Sequence, residues 1–298
     1  MFKDGIININ KPEGWTSQDV CSKLRHRLHI KKAGHTGTLD PMATGVLPVC
    51  IGKATRIIEY YDKDHKSYHA EMKLGIVTDT LDITGTVMKE NKAVVVDERA
   101  LRDAFAGYTG TVCQIPPKYS ALKVNGKRAY DLAREGVDVE LKGRKIVIYS
   151  NEITDIDYEN AVIGFDVECS KGTYIRTICD DIGRELGCGA VMTSLTRTGS
   201  GFFSIKDAVG IQELVEMTDE QIESVIIPMD ETLTALGRVE LNDKRVIAFS
   251  NGNPSDPWGF RITERSGFGN IYKVYSREGF LGTGRVENGS LIPEKVIK

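Results

Sequence analysis

Residues 33–49, AGHTGTLDPMATGVLPV, constrain the fold of this chain more than any other stretch. Three glycines, two prolines and four threonines or histidines interrupt the segment, so neither a regular helix nor a regular strand can run through it. It reads as a structured loop that ends in the apolar run Val46–Ile51. Upstream, GIININ reads as a short strand, followed by a turn at Lys11-Pro12-Glu13-Gly14. Thr16 or Ser17 then caps a helix in which Val20, Leu24 and Leu28 recur every four residues. That spacing buries one stripe and leaves Lys23, Arg25 and Arg27 on the other faces. A basic helix therefore leads into the loop.

Downstream, Ser67–Leu74 reads as a strand, and Asp97 caps a helix that turns Leu101, Ala104 and Phe105 inward. Strands are expected at Lys145–Tyr149 and Val162–Cys169. Gly172-Thr173 opens a helix carrying Ile175, Ile178 and Ile182 inward, ended by Gly187. Strands outnumber crossover helices, so the alternation of a doubly wound sheet is absent. The fold class expected is α+β, with a mixed, largely antiparallel sheet flanked by helices. The acidic stretch 211–231 is expected to hold a helix that Pro228 breaks. From about Arg238, short apolar runs punctuated by Asn-Gly, Asn-Pro and Ser-Gly predict a small β-rich unit of about 60 residues.

Several function classes drop out. No run of about 18 apolar residues exists, so no membrane span is expected. MFKDGIININKPEG lacks the apolar core of a secretory signal, and a cytoplasmic location is the expectation. Six scattered cysteines without a Cys-x-x-Cys pair read as reduced thiols, with no metal site. His65 and His69 have ligand-like spacing but stand on a strand, where a surface role is the better reading. A phosphate-loop reading of LPVCIGKA fails at Leu47 and Ala54, and neither G-x-S-x-G nor a strand-linked G-x-G-x-x-G occurs. No cofactor is expected. Net charge is −3, yet residues 21–35 carry five Lys/Arg and no carboxylate, and residues 118–128 carry four and none. These are two candidate polyanion surfaces, or ordinary solvated faces.

Three side chains stand out for chemistry. Asp40 lies in an Asp-Pro turn among glycines, where its backbone is fixed and its surroundings open; the same residue type is common in plain turns. Arg176 lies beside an apolar helix stripe, placed either to reach solvent or to pair with a carboxylate. Tyr68 alternates with Ser67 and His69 and faces the interior, as a core residue or as a stacking platform for a base.

Five separated blocks, in order, resemble the TruB family of tRNA pseudouridine synthases: NKPEGWTS (10–17), GHTGTLDPMATGVLPVCIGKATR (34–56), KSYHAEMKLGIVTDTLDITG (66–85), QIPPKYSALKVNGKRAYDLAREG (114–136) and CSKGTYIRTICDDIG (169–183). The likeness runs from about Gly5 to about Phe203. It implies a cofactor-free and metal-free isomerisation of the T-loop uridine of tRNA, with Asp40 as the catalytic aspartate. Tyr68 would stack on the uracil and assist removal of the C5 proton, and Arg176 would pair with Asp40 and position it. Leu195 would line the base pocket, and His35 would fill the space the flipped uridine leaves. Lys11 and Pro12 match a pair that supports the catalytic loop, and Lys11 is counted on the substrate-binding side. Residues 118–136 would form an RNA-gripping insertion in which Lys118, Lys123, Lys127 and Arg128 meet phosphate. The partner implied is the T-arm of tRNA, with contact to its acceptor end through a PUA-like C-terminal unit. Neither a guide RNA nor a membrane is expected, and a monomer is. The division implied is a catalytic domain over 1–235 and the C-terminal domain over 236–298.

Overall fold

The computed structural model describes residues 2–297 except 64, 92, 93, 121, 125 and 138–140, and at 62, 63, 123, 127, 128, 131, 133 and 134 it describes the backbone only. The chain opens with strand β1 (Gly5–Lys11), helix α1 (Ser17–Leu28), strand β2 (Ala33–His35) and strand β3 (Thr44–Ile51). Next come β4 (Lys66–Leu74), α2 (Glu98–Gly107), β5 (Gly110–Gln114), β6 (Arg144–Asp157) and β7 (Val162–Cys169). Helix α3 (Ile175–Glu185), β8 (Ala190–Ser200) and the short β9 (Val209–Gly210) complete the first sheet. Its order is β9-β1-β3-β8-β4-β7-β6-β5. The β9–β1 and β3–β8 neighbours are parallel and all others antiparallel, the mixed and largely antiparallel α+β sheet expected.

Burial explains why the first strands read as continuous apolar runs. The period of two sends Ile7, Ile9, Leu47 and Val49 into the main core, while Ile6, Val46 and Cys50 face a second core on the opposite side. Helix α1 supplies Val20, Leu24 and Leu28 to the main core, and Thr16 closes its start with a capping box to Asp19. Helix α3 adds Ile175, Ile178 and Ile182, and α2 adds Leu101, Ala104 and Phe105. The second core is covered by a 3-10 segment, Gly52–Lys63, which the sequence reading did not foresee.

Residues 237–296 form a separate five-stranded sheet: β10 (Gly237–Leu241), β11 (Phe260–Glu264), β12 (Ile271–Ser276), β13 (Gly279–Glu287) and β14 (Ser290–Val296). Their order is β11-β10-β12-β13-β14, closed over Val239, Phe249, Val274 and Leu291. The β-rich unit expected there also carries a helix at Asp243–Ser250, which Asn242 caps and Phe249 anchors. The sheet docks on the 3-10 segment through Tyr60 Oη–Thr283 Oγ1 at 2.7 Å and Lys295–Glu59 at 3.0 Å. The stretch 211–231 holds three short helices instead of one. A second capping box, Thr218 with Gln221, restarts the chain after extended Met217, and Pro228 caps the third helix.

Phe165 is fully buried on β7 and meets Phe105 edge-on at 5.2 Å between ring centroids. Truncation by Phe165→Ala therefore opens a cavity at the α2–sheet contact and should cost about 3–5 kcal/mol. The check is a lower denaturant midpoint at unchanged slope.

Candidate active site

The loop between β2 and β3 is tied down along its length. Thr36 N–H donates to the Pro48 carbonyl at 3.1 Å, and Ser17 Oγ both accepts from Leu39 N–H at 2.9 Å and donates to its carbonyl at 3.3 Å. Gly14 N–H donates to the Pro41 carbonyl at 2.8 Å. Beneath the loop Lys11 is fully buried, and its ammonium donates to the carbonyls of Pro12 (2.8 Å), Trp15 (2.6 Å) and Pro41 (3.2 Å). The resemblance counts Lys11 on the substrate-binding side; the fold encloses it beneath the loop, where its ammonium holds backbone carbonyls and presents no exposed surface. Arg197, 2% exposed on β8, spans the two ends of the loop with Nε to the Val46 carbonyl at 2.6 Å and Nη2 to the Gly37 carbonyl at 3.2 Å. Gly45 makes this possible: at φ 97°, a Cβ there would lie 2.3 Å from the Arg197 carbonyl oxygen.

This cage presents Asp40, with its side chain 39% exposed, to Arg176. Nη2 of Arg176 lies 2.9 Å from Asp40 Oδ2 and also donates to the Tyr119 carbonyl at 3.1 Å. Nη1 donates to the Thr80 carbonyl at 3.0 Å and lies 3.3 Å from Asp82 Oδ2. Asp82 is itself buried, and its Oδ1 accepts from Thr80 Oγ1, Thr84 N–H and Thr84 Oγ1 at 2.9, 3.1 and 2.5 Å. The turn that holds Asp82 is strained, since Leu81 takes a left-handed φ of 63°. Two backbone bonds to Met192 on β8 hold it: Met192 N–H to the Leu81 carbonyl and Ile83 N–H to the Met192 carbonyl. A buried guanidinium with two carboxylates and two carbonyls has most of its donors satisfied.

Opposite Asp40, cross-strand pairing sets the other wall. Tyr68 stands across from Arg197 and Ala70 across from Leu195, so Tyr68, Leu195 and Arg197 all face one cavity of about 300 Å³. Lys66, on the same face of β4, is buried and donates to Ser200 Oγ at 2.7 Å. Among the described residues lining the cavity, Asp40 is the one carboxylate, against four cations: Lys66, Lys171, Arg176 and Arg197. Burial pushes the Tyr68 phenol above its usual range, with the charge of Arg197 pulling the other way. His35 is held on β2 opposite Val49, half-buried beside the cavity and not lining it. Burial first and then Arg197 lower its pKa, and its Nδ1 has no hydrogen-bond partner among the described residues. Lys118 is exposed at the start of the 118–136 segment, whose Lys123–Val124 and Lys127–Arg128 backbones pair as a hairpin. The side chains of Lys123, Lys127 and Arg128 lie outside the described residues. Among the described residues no three His, Cys, Asp or Glu side chains gather as a metal-ligand set.

Asp82, Lys66 and Arg197 were not singled out from the sequence. Arg197 could have been, since Leu195 and Arg197 stand two apart in SLTRT and a strand puts both on one face. Asp82 gave no such signal, because its role depends on a contact 94 residues away.

A family model described as the TruB family pseudouridylate synthase N-terminal domain matches residues 25–175. A second, described as the tRNA pseudouridylate synthase B C-terminal domain, matches residues 176–234. The chain is 42% identical to the tRNA pseudouridine synthase B of Clostridium tetani, over 95% of each chain. It is 44% identical to that of Clostridium acetobutylicum, over 99% of each. Among solved structures, the archaeal box H/ACA sRNP Nop10–Cbf5 complex matches with a TM-score of 0.76 and 26% identity, over 100% of this chain and 87% of that one. An H/ACA RNP bound to a substrate RNA containing 2′-deoxyuridine matches at 0.76 and 25%, over 99% and 85%.

Lys11 gives this site a measurable pH signature. Burial lowers its pKa from 10.5 to about 8, against the opposing pull of Asp40. The folded state then sheds this proton before the unfolded chain does. Between about pH 8 and about pH 10.5 the unfolded chain holds more protons, so the contribution of this group to stability rises with pH. Below about pH 8 its full penalty is present. Denaturant titrations of the parent and Lys11→Met across that window should show the parent gaining stability relative to the variant.

Proposed function

The chain belongs to the TruB family of pseudouridylate synthases, and from that premise we propose how its site isomerises a uridine of tRNA to pseudouridine. It is a tRNA-modifying isomerase, and its target is the T-loop uridine at position 55. The reaction breaks the bond from ribose C1′ to uracil N1, turns the base, and rejoins it through C5. No group is added and no redox change occurs.

The observation that supports the assignment of roles is Asp40 at the cavity wall, fixed at 2.9 Å by an arginine that Asp82 anchors from behind. In this reading Asp40 is the catalytic carboxylate. It acts either by covalent attack or by taking the C2′ proton to give a glycal while the base turns. Arg176 positions Asp40 and Asp82 positions Arg176. Uracil enters between Tyr68, which stacks on it, and Leu195. Since burial keeps the phenol protonated in the free enzyme, stacking is the primary role of Tyr68 and proton removal needs further help. Extrusion of a stacked uridine costs about a few kcal/mol. His35, neutral and beside the cavity, is placed to offset part of it by filling the gap in the loop stack.

Phosphate contacts come from the basic faces of α1 and of residues 118–136, including Lys118, Lys123, Lys127 and Arg128. The catalytic domain spans 1–235 in this reading, and 236–298 is a PUA-like unit that meets the acceptor end. The enzyme works as a monomer in the cytoplasm without a guide RNA. No helix among the described residues is long and apolar enough to cross a membrane.

The test uses an unmodified tRNA transcript tritiated at uridine C5. The parent protein should release tritium from one T-loop uridine with no other RNA present. Asp40→Asn should bind the transcript and release none. Equal release by both would remove Asp40 from the chemistry, and release that required an added RNA would favour a guide-dependent enzyme. Asp82→Asn should lower the single-turnover rate by about 10- to 100-fold with tRNA affinity unchanged, because it acts through placement of Arg176. A rise in Kd alone would contradict that role.

A further inference from the structure

The two buried arginines of the cavity are treated differently by the fold. Arg176 has two carboxylate partners, Asp40 and Asp82. Arg197 is more deeply enclosed and is held by two backbone carbonyls, with no carboxylate within ion-pair distance among the described residues. Enclosing a cation without a counter-ion costs several kcal/mol, and carbonyl dipoles offset only part of that. Two carbonyls would equally hold a neutral amide, so stapling the loop does not by itself call for a charge. The direct cross-strand neighbour of Arg197 is Tyr68, and both face the cavity.

We propose that Arg197 is a positioning residue for Tyr68 that supplies the counter-charge of its phenolate, so that Tyr68 can take the uracil C5 proton. The proposal rests on the reading of Tyr68 as the group that faces the base. In the closing step the C5–H bond of the reattached uracil breaks and the proton passes to the Tyr68 oxygen. The electron pair left behind forms the C5–C6 double bond, the pair of the N1–C6 double bond moves onto N1, and N1 takes a proton from solvent. Tyr68 enters that step as phenolate, its own proton having gone to solvent, and leaves it as phenol.

The charged and titratable groups around the phenol support the assignment. Arg197 faces it from β8, and Lys66 lies two residues away on the same face of β4. Cys169, on β7, is a buried thiol whose own pKa burial raises to about 11, so it adds no negative charge at neutral pH. Among the described residues lining the cavity Asp40 is the one anion, and it is engaged by Arg176. Arg176 and Lys171 close the far side of the cavity. In the free protein burial outweighs the pull of Arg197, leaving a phenol. The arrangement therefore lowers the cost of a transient phenolate without storing one.

The test replaces Tyr68 with a fluorinated tyrosine whose phenol titrates near neutrality and follows it by fluorine NMR in the full-length protein. In the Arg197→Gln background the phenol should titrate at higher pH than in the parent. Arg197→Lys keeps a cation and should give a smaller upward shift; it carries the comparison if the Gln variant does not fold. Tritium release by Arg197→Gln, with native Tyr68, should fall about 10- to 100-fold at neutral pH and recover as pH rises. A purely structural defect in the loop would lower release equally at every pH. Identical titration of the phenol in all three backgrounds would overturn the proposal. Tyr68→Phe separates this from its premise. If that variant released C5 tritium at the parental rate, the reading of Tyr68 would fail whatever the titrations gave. If it were inactive while the titrations did not move, the premise would stand and the role of Arg197 would fall.

Discussion

The Arg176 guanidinium has to be satisfied inside the protein, and the layout of the cleft follows from that requirement. A planar group with five N–H donors needs acceptors from several directions at once, and no single element can supply them. Here they come from three parts of the chain and meet on a fourth. Asp40 belongs to the loop before β3, Thr80 and Asp82 to the turn after β4, Tyr119 to the start of the 118–136 segment, and Arg176 itself to the first turn of α3. One buried side chain thus fixes the relative positions of the Asp40 carboxylate and the start of the 118–136 segment. The strain at Leu81 is the local cost of bringing Asp82 into line.

Sheet order explains why the cleft cannot be assembled from either half of the chain. Strand β8, from the second half, lies between β3 and β4, from the first. It contributes Leu195 and Arg197 to the cavity and Met192 to the support of Asp82. The boundary between the two family-model matches falls between Ile175 and Arg176, inside α3. It divides the sequence without dividing the sheet. The 237–296 sheet has its own core by contrast, and it meets the first sheet across the 3-10 segment Gly52–Lys63.

Local physics made much of this legible in the sequence. The every-four stripe of α1, the Asp97 cap and the Ile175-Ile178-Ile182 stripe all translate into helices with those residues buried. The apolar run at Val46–Ile51 is a strand covered on both faces. What stayed hidden was of two kinds. Short-range competition decided the 211–231 stretch, where Thr218 and Gln221 form a capping box that restarts the chain before Pro228 can act. Long-range pairing decided the rest. The resemblance placed Asp40 and Arg176 together, but nothing local to TDTLD reveals that Asp82 completes the pair. The resemblance gave Lys11 and Pro12 as supports of the catalytic loop, but only the three carbonyl partners of the Lys11 ammonium show how that support is made.

Charge distribution connects the site to its substrate. A net charge of −3 argues against a polyanion ligand only if charge is spread evenly, and here it is not. Acidic residues crowd 211–231, whereas the cavity brings four cations to one carboxylate. Those cations differ in kind. Arg176 is neutralised by its partners and contributes geometry. Arg197 is held by carbonyl oxygens, which orient a charge without cancelling it. An isomerisation begins and ends with a neutral base but passes through states in which the detached ring carries negative charge. A cavity that holds Arg197, with no carboxylate partner among the described residues, before the base arrives meets its desolvation cost during folding, so the charge-separated stage needs little reorganisation.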